Sequence, residues 1–561
     1  MLPQKIKKEN KVIFSINISN KLLAAAAFAC LCTTVSAQRD FRLAETRNVM
    51  LTSHNAASLT TFADSAITNA EIAYGYKWGD ARSIAQPFLN DMSFARQQNT
   101  INADVRSYYR LNDWLVAYGN VAFCLQHGKG MNGSMFFTSP TFSLDLEVRP
   151  FDITDDSLSN AGSKEYKLFH AVGALGWQTT GSLSVGAMAD FTAGSYDKFK
   201  DLRHSNTLMN LNTNVGLTYS FSSNTGNVSQ LTDKGHEAAS LIGASFLYRR
   251  NTETVNYEMH GTTDRRYSPL IDYAWGIGQT ETYGGNGFID KSNEQPLYNE
   301  YCGVAVTGNA NTTKGVFYGE FAYLHRNGFY GKESQYTVSH EEHSGNILDW
   351  KLRYTLPRQL TGAALHWLEL HLNDEQLTTN RNNYRETTTT ETGSEVKHYD
   401  YFTPTKMSDK ILRQGEVTYT AYLSPANSEN SRSQNTIEGR TQLFLWRISG
   451  GLSWIYAKQT PYIPLSTESY GTSSVTCYMP HIEVARSFLF HNSNLLKAGL
   501  GFKGIGGSLA KATVTHIGCS YEFAIRQYPT MRPNISLAYD WAHRNDNTNR
   551  HSVLASIGVT F

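Results

Sequence analysis

The chain has 561 residues, of which 12% are aromatic and 18% charged, with a formal net charge of +1 and a mean hydropathy of −0.39. The low hydropathy and the lack of a long apolar stretch after the N-terminal region exclude a helical membrane protein, and the near-neutral charge offers no basic surface for nucleic acid. A transmembrane β-barrel is compatible with these values, because half of its strand residues face water.

The first 37 residues have the pattern of a secretory signal peptide. Lysines precede an apolar stretch from Leu22 to about Leu31, and a small-x-small sequence, Val-Ser-Ala at residues 35–37, comes before Gln38. We therefore predict Sec-type export and cleavage near Ala37–Gln38. Cleavage would remove five lysines and one glutamate, which changes the net charge from +1 to −3.

Strand-like segments with a period of two residues recur from about residue 70 to the C-terminal residue. Residues 211–221, LNTNVGLTYSF, place leucine, valine, tyrosine and phenylalanine with one threonine on one face, and asparagine, glycine, threonine and serine on the other. The last twelve residues, RHSVLASIGVTF, place Phe561, Val559 and Ile557 on an apolar face. Strands of about ten residues with this alternation are typical of a barrel with lipid outside and water inside.

The periodicity predicts about 18 strands, within a range of roughly 16 to 20. The fold class is therefore all-β, a transmembrane antiparallel up-and-down β-barrel with long extracellular loops. An even number of strands places both chain ends on the periplasmic side. The proposed strands lie near residues 70–78, 100–110, 114–126, 166–178, 182–194, 207–221, 239–251, 298–310, 314–326, 345–358, 361–374, 410–424, 436–459, 475–489, 494–504, 511–525, 534–543 and 550–561.

The predicted connections alternate between short and long. Those near residues 112, 180, 312 and 360 have a few residues each, whereas 127–165, 252–297 and 375–409 are long, as outer-membrane barrels require. The prediction needs residues 436–459 to form one strand through Ser449, Gly450 and Gly451 rather than a hairpin there. A periplasmic β-sandwich array is the alternative, and the glycines inside the strands count against it.

The chain is expected to have three parts. Residues 1–37 are the signal peptide, 38–69 an N-terminal periplasmic or hatch segment, and 70–561 the outer-membrane β-barrel. Phe561, Val559 and Ile557 are the predicted assembly signal, because an aromatic-terminated last strand is what the barrel-assembly machinery docks. Closure of the barrel pairs this strand with the first one.

Four segments resemble an outer-membrane β-barrel family of unknown function from Gram-negative anaerobes, over essentially the whole mature chain. They are the signal end Ser-Ala-Gln, the early SHNAASLTTFADSAI, the mid-chain YDKFKDLRHSNTLMNLNTNVGLTYSF and the terminal strand. Asp201, Arg203 and Asn206 match the Asp-Pro-Arg step of that family and its following asparagine, with Leu202 in place of proline. The resemblance implies location and fold, and no activity.

A second, shorter resemblance lies near the N-terminus. NAASL, residues 55–59, is similar to the Asn-Pro-Ala-x-Leu element of fatty-acid-transporter-type barrels, again without the proline.

The sequence contains no G-x-S-x-G, Walker or H-E-x-x-H motif. No catalytic residue, cofactor or metal site is therefore predicted, and an enzyme is not expected. HEEH at residues 340–343 contains metal-type ligands, but alternating side chains favour a solvated charged tip. GFKGIGG at residues 501–507 is interpreted as a strand end with a turn, and RETTTTETGSE at 385–395 as a mobile loop tip.

Polar residues opposite the apolar strand faces are predicted to point into the lumen. The candidates for lumen lining or ligand binding are Asp190, Asn212, Asn214, His516, Glu522 and Asp540. For each of them, hydrogen bonding inside the barrel without a solute is the alternative. In the long loop 252–297, the candidates for binding a glycan or peptide, or for forming a plug over the pore, are Arg265, Arg266, Tyr267 and Trp275.

The predicted function is a substrate-selective channel or uptake barrel for small hydrophilic solutes, because a wall of about 18 strands with a polar interior can enclose water. Two alternatives stay open: a structural or partner-binding barrel that anchors a surface lipoprotein or assembly complex, and a fatty-acid-transporter-type barrel for hydrophobic compounds. The expected partners are outer-membrane lipid, the barrel-assembly machinery and, for the first alternative, a surface lipoprotein. The expected location is the outer membrane of a Gram-negative bacterium.

Overall fold

The computed structural model describes most of the chain after residue 40. The described residues are 41–79, 95–131, 134–137, 148–154, 161–179, 181–200, 203–221, 240–258, 270–273, 280–282, 295–312, 314–332, 338–356, 365–391, 394–423, 446–463, 468–490, 494–508, 511–525, 527–528 and 530–561. Among them, no helix has the length and apolar character needed to cross a membrane.

In the described part of the chain, three short helices precede the first strand. They are α1 (Phe41–Arg47) and two 3-10 helices, Val49–Thr52 and Ala56–Thr61. An asparagine caps each 3-10 helix: the Asn48 side chain accepts a hydrogen bond from the Met50 amide, and the Asn55 side chain from the Ala57 amide. Asparagine suits this position because its side-chain oxygen pairs with a backbone N–H that the helix leaves free.

The described strands number 21, of which eighteen form one sheet. The strands of this sheet are β1 (Ala66–Gly79), β2 (Gln97–Asn112), β3 (Leu115–Met131), β5 (Gly162–Gln178), β6 (Leu183–Lys198), β7 (Arg203–Ser220), β8 (Leu241–Glu258), β11 (Gln295–Thr312), β12 (Gly315–Gly331), β13 (Ser339–Thr355), β14 (Leu365–Glu391), β15 (Ser394–Leu423), β16 (Trp446–Pro461), β17 (Ser473–Leu489), β18 (Leu495–Gly507), β19 (Ala512–Glu522), β20 (Arg532–Arg544) and β21 (Asn549–Thr560). Three short strands, β4 (Asp152–Thr154), β9 (Leu270–Asp272) and β10 (Thr280–Thr282), form a separate small sheet.

The large sheet is a closed barrel. Each strand pairs antiparallel with the next one along the sheet, and β21 pairs with β1, for example Ile557 opposite Ile72. The predicted fold class and strand number are therefore confirmed. The strand predicted through Ser449, Gly450 and Gly451 is also confirmed, since β16 runs through these residues between β15 and β17.

Side chains alternate between the outside and the inside of this wall, as the sequence periodicity predicts. On β7, the outward residues Val215 and Leu217 are 61% and 50% exposed, whereas the inward residue Asn214 on the same strand is 4% exposed. Ile72 and Ile557 at the closing seam are 64% and 66% exposed. An apolar outer surface of this kind is stable in contact with lipid and not with water.

We call the two ends of the barrel the turn end and the loop end. The first strand begins and the last strand ends at the turn end, where residues 113–114 form a tight turn and two residues separate β11 from β12. The loop end carries the connections 132–161 and 259–294. Outer-membrane barrels place short turns in the periplasm and long loops outside. Because connections 221–240 and 424–445 at the turn end are also long, the periplasmic location of this end stays a prediction.

Exposed outward aromatic side chains mark the turn end. Trp114 and Trp177 lie 6.2 Å apart between ring centroids, and the other members of this girdle are Tyr109, Tyr219 and Trp446. Such rings are enriched where a barrel meets the lipid headgroups.

The predicted long connection 375–409 is wrong. β14 and β15 continue as a two-stranded hairpin past the neighbouring strands, with pairs from Asn383–Phe402 to Glu391–Ser394. The segment RETTTTETGSE is therefore mostly paired strand and not a loop tip. The polar-apolar alternation used for the prediction disappears here, where β14 and β15 pair only with each other; we call these residues, 382–391 and 394–407, the outer hairpin.

Candidate functional site

Part of the connection between β3 and β5 lies inside the barrel. We call residues 134–137 and 148–154 the inserted loop. Wall side chains donate hydrogen bonds to its carbonyl oxygens: Lys164 Nζ to Ser134 at 2.7 Å, and Arg326 Nη1 to Val148 at 2.6 Å. Lys410 Nζ also donates to the oxygen of Arg149 at 2.9 Å.

Carboxylates of the wall bind the amides of the same loop. Glu375 Oε2 accepts from the Val148 amide at 2.8 Å, and Glu253 Oε1 accepts from the Phe137 amide at 2.7 Å. Glu375 also pairs with Arg326 at 2.7 Å, and these two side chains are only 2% and 3% exposed. Buried charges of this kind need hydrogen-bonded partners, and here they hold the inserted loop by its main chain.

Apolar packing fixes the inserted loop at the loop end of the lumen. Phe136, Phe151 and Ile153 are fully buried in one cluster with Tyr273 and wall residues such as Tyr330. A second cluster joins Val148 to residues of the β14–β19 wall: Leu377, Leu412, Ile455, Cys477, Met479, Ile505 and Ala512. The inserted loop thus reaches across the lumen from one wall to the other.

A second segment, residues 41–62, also lies inside the barrel, and we call it the N-terminal insert. It packs in a groove floored by glycines on four adjacent strands, namely Gly176, Gly186, Gly216 and Gly243. A Cβ atom on Gly216 would lie 2.2 Å from Asn55 Oδ1, and one on Gly186 would lie 2.3 Å from the carbonyl carbon of Ala56. Glycine is required at these positions because the insert approaches the wall too closely for a side chain.

Polar contacts complete this docking. Asn55 Nδ2 donates to the Leu217 oxygen at 3.0 Å, and the Ala56 amide donates to Asn214 Oδ1 at 3.0 Å. His54 Nδ1 lies 2.6 Å from Glu320 Oε1 on β12. The NAASL element is therefore the part of the insert that contacts the wall most closely.

The opposite wall of the lumen has small inward side chains. We call the inward face of β15–β21 the passage wall. On β16–β21, alternation places many glycine, alanine and serine residues on this face, beside larger ones such as Lys497, Lys503 and Leu554; the small residues are Ser449, Gly451, Ser453, Ala485, Ser487, Gly499, Gly501, Gly518, Ser520, Ser536, Ala538, Ser552, Ser556 and Gly558. Residues of this size leave space in the lumen that larger side chains would fill.

Three charged pairs project from the passage wall, and we call them the ionisable row. His516 Nδ1 lies 2.6 Å from Asp540 Oδ1, with the two side chains 42% and 41% exposed. The other members are Arg447 with Glu483, at 3.1 Å, and His481 with Glu416, at 3.8 Å. Five of these six side chains are 35–42% exposed and His481 is 22% exposed among the described residues, in contrast with the buried Arg326–Glu375 pair.

The structure brings the six predicted lumen residues into separate groups. Asp190 Oδ1 accepts from His170 Nε2 at 2.8 Å, and Asp190 stands opposite Asn212 in the β6–β7 register. Asn214 binds the N-terminal insert, and His516 and Asp540 form the pair described above. Glu522 lies at the turn end of β19, with its Oε1 4.0 Å from Arg532 Nε. A ligand-binding role for any of these residues stays a prediction.

The remaining predicted site residues have different outcomes. The loop candidates Arg265, Arg266, Tyr267 and Trp275 lie outside the described residues. Phe561, Val559 and Ile557 belong to the closing seam: the amide of Phe561 donates to the oxygen of Thr68 at 2.9 Å, and Val559 and Ile557 pair with β1. Their role as an assembly signal stays a prediction.

HEEH is not a solvated tip, contrary to the interpretation from the sequence. His340, Glu341 and His343 are at most 5% exposed on β13, and His343 Nε2 lies 2.7 Å from Asn299 Oδ1. Tyr273, next to the inserted loop's cluster, donates to Glu341. Within the described ranges, no group of three or more His, Cys, Asp or Glu side chains is arranged to hold a metal ion.

The wall residues that hold the inserted loop were not predicted from the sequence. Arg326, Glu375 and Lys410 each occupy the polar side of a strand, as do the residues that were chosen. In the sequence these residues differ from their neighbours only in carrying a full charge on a face with small polar groups. Their partner, the inserted loop, is distant in sequence and has no recognisable pattern.

A closed antiparallel strand wall with an apolar outer surface and a polar interior defines an outer-membrane β-barrel. The chain belongs to the family of unknown function DUF6850, whose model matches residues 56–561. This confirms the predicted resemblance to a family of unknown function.

No curated protein matches the sequence. Among solved structures, the chain is similar to the ferric preacinetobactin receptor BauA from Acinetobacter baumannii, at 9% identity and a TM-score of 0.40, over 89% of this chain and 80% of that one. It is also similar to the alcaligin receptor FauA from Bordetella pertussis, at 8% identity and a TM-score of 0.34, over 88% and 76%. The toluene transporter TodX from Pseudomonas putida is similar at 12% identity and a TM-score of 0.26, over 94% and 95%.

Proposed function

We propose that this barrel takes up small hydrophilic solutes across the outer membrane, through a water-filled chamber beside the passage wall. The observation that carries the proposal is the ionisable row. His516 and Asp540 are 42% and 41% exposed although the wall around them is closed. Half-exposed charges inside a barrel need water, because an ion moved into a dry interior loses several kcal/mol of solvation.

The chemistry of the chamber supports a polar solute. The ionisable row offers carboxylates, imidazoles and a guanidinium among small residues. A solute in the chamber can therefore form hydrogen bonds with both acidic and basic groups. A hydrophobic compound would have to displace water from these groups without replacing their hydrogen bonds. The fatty-acid-type alternative is therefore less well supported than the hydrophilic one.

The inserts support a selective channel rather than an open pore. The inserted loop crosses the lumen at the loop end, and the N-terminal insert covers β5–β8 toward the turn end. A solute must pass the inserted loop, which packs on the β14–β19 wall at the loop end, and then the N-terminal insert, so size selection follows from these two segments.

Liposome swelling tests the proposal. Purified protein in liposomes should cause swelling in isosmotic solutions of small sugars or amino acids. Gly499→Trp should slow it by about tenfold or more, because the indole would enter a lumen whose size sets permeation. A Cβ atom on Gly499 meets Ala485 Cβ at 3.4 Å, an ordinary contact, so the substitution is accommodated at the backbone.

The matched control is Gly173→Trp, on the outer face of β5, where a Cβ atom meets nothing within 4 Å. It should leave swelling unchanged. If the intact wild-type barrel causes no swelling with any of these solutes, the channel proposal is wrong. A partner-binding role, for which the outer hairpin offers an extended surface, then becomes the better explanation.

A further inference from the structure

A groove of about 520 Å³ lies on the outside of the barrel near the loop end of β17–β20. Its lining includes Tyr478, Pro480, Gly504, Gly506, Lys511 and His543. Tyr478 is 50% exposed, whereas its neighbours Cys477 and Met479 are buried in the lumen cluster with Val148. The groove therefore opens toward the membrane and not toward the lumen.

The groove exists because the outer face lacks side chains at two glycines and the strand ladder is locally unpaired at this point. The β17–β18 ladder runs from Cys477–Gly507 and Tyr478–Gly506 directly to His481–Lys503, without pairs at Met479 and Pro480. Proline has no amide hydrogen to donate to the neighbouring strand. Gly504 and Gly506 present no side chain on the outer face, and a Cβ atom on Gly506 would meet nothing within 4 Å.

The groove lies at the loop end of the wall, where the apolar outer surface ends. β18 ends at Gly507, one residue past the groove floor, and the outward residues below it on the same wall are apolar. Leu500, Phe502 and Ile517 are 43%, 47% and 52% exposed. An acyl chain that contacts these residues can continue into the groove. There it would displace water from contact with glycine and proline carbons, which is favourable.

One charge stands at the upper edge of this groove. Lys511 is exposed, and its backbone oxygen accepts from the Asn545 amide at 3.0 Å. Among the described residues, no carboxylate lies within ion-pair distance of its ammonium group. A cation in this position complements an anionic headgroup, since a lysine at a membrane surface attracts anionic lipid.

We propose that this groove binds one phosphate-bearing lipid of the outer leaflet, with an acyl chain over Gly504 and Gly506 and the phosphate at the Lys511 ammonium. The proposal depends on the fold and not on the transport function. Its failure would therefore leave the channel proposal untouched.

Native mass spectrometry of the detergent-purified barrel tests this site, with bisphosphorylated lipid A as the probe. The wild type should retain one lipid A per barrel. Lys511→Glu should lower the retained fraction by roughly fivefold or more, the size expected for a single lysine at an anionic lipid surface. Gly506→Trp should do the same by filling the groove.

Gly450→Trp is the matched control, because it lies on the outer face of β16, where a Cβ atom meets only the His481 oxygen at 3.5 Å and Ile482 Cγ1 at 3.9 Å. It should retain lipid A as the wild type does. Equal retention in all four proteins, or equal retention of dephosphorylated lipid A by the wild type, would overturn the proposal. If Gly506→Trp does not assemble, Lys511→Glu decides alone.

Discussion

Excision of residues 134–154, with a short Gly-Ser linker between β3 and β5, will raise the single-channel conductance of the barrel by roughly threefold or more, because an 18-stranded wall encloses a wide aqueous lumen when nothing fills it. The inserted loop is held by Lys164, Arg326 and Lys410 through its carbonyl oxygens. After excision these charges would face water, which solvates them, so the wall keeps its structure. Planar-bilayer recording of the two proteins measures the effect.

The control for this experiment is the fold. β-sheet content by circular dichroism and heat-modifiable migration should be the same for the excised and intact barrels. If conductance stays at the wild-type value while the barrel is intact, the inserted loop does not constrict the lumen, and the main barrier to solutes must lie elsewhere.

Gly216→Leu will release the N-terminal insert from the wall. A Cβ atom at this position would lie 2.2 Å from Asn55 Oδ1 and 2.8 Å from Asn55 Cγ, so Asn55 must leave its place and lose its hydrogen bond to the Leu217 oxygen. Overpacking of this kind costs about 1–3 kcal/mol. Tryptic cleavage after Arg47 in detergent micelles should therefore become faster by roughly tenfold or more.

Gly173→Leu provides the comparison, because this glycine lies on the outer face of β5 with nothing within 4 Å of its Cβ position. It adds the same side chain to β5, two strands away along the wall, and should leave the cleavage rate unchanged. Equal cleavage rates in the two variants would show that the glycine groove does not hold the insert.

The strands could be predicted because lipid and water impose a period of two along every wall segment. The predicted segment 207–221 corresponds to β7 (Arg203–Ser220), and residues 446–461 form one strand through two glycines because Gly450 and Gly451 simply occupy one outward and one inward position. The prediction failed at the outer hairpin, where threonines on both faces replace the alternation and pairing between β14 and β15 alone maintains the strands.

The candidate site was predicted only in part, for a related reason. Alternation showed that Asp190, Asn212, His516 and Asp540 face inward, but both walls of the barrel satisfy this condition. What distinguishes the walls is the position of the two inserts, which depends on contacts between residues far apart in sequence, such as His54 with Glu320. The run of small residues on β16–β21 was visible in the sequence, and it is the signal that could have located the passage wall.

HEEH illustrates the same limit. Its residues were predicted to be solvated because they are charged, and three of them are buried because Tyr273 and the inserted loop's cluster cover this part of β13. No local pattern in residues 340–343 contains that information.

Cysteine modification along the passage wall tests the central claim most directly. In a chain whose cysteines Cys124, Cys302, Cys477 and Cys519 are replaced, a cysteine at Ala538 should react with a membrane-impermeant charged thiosulfonate and conductance should fall by about half or more, because the label would occupy the lumen. A cysteine at Met188, on the wall covered by the N-terminal insert, should leave conductance nearly unchanged. Block through Met188 with an inert Ala538 would contradict the proposed route for solutes.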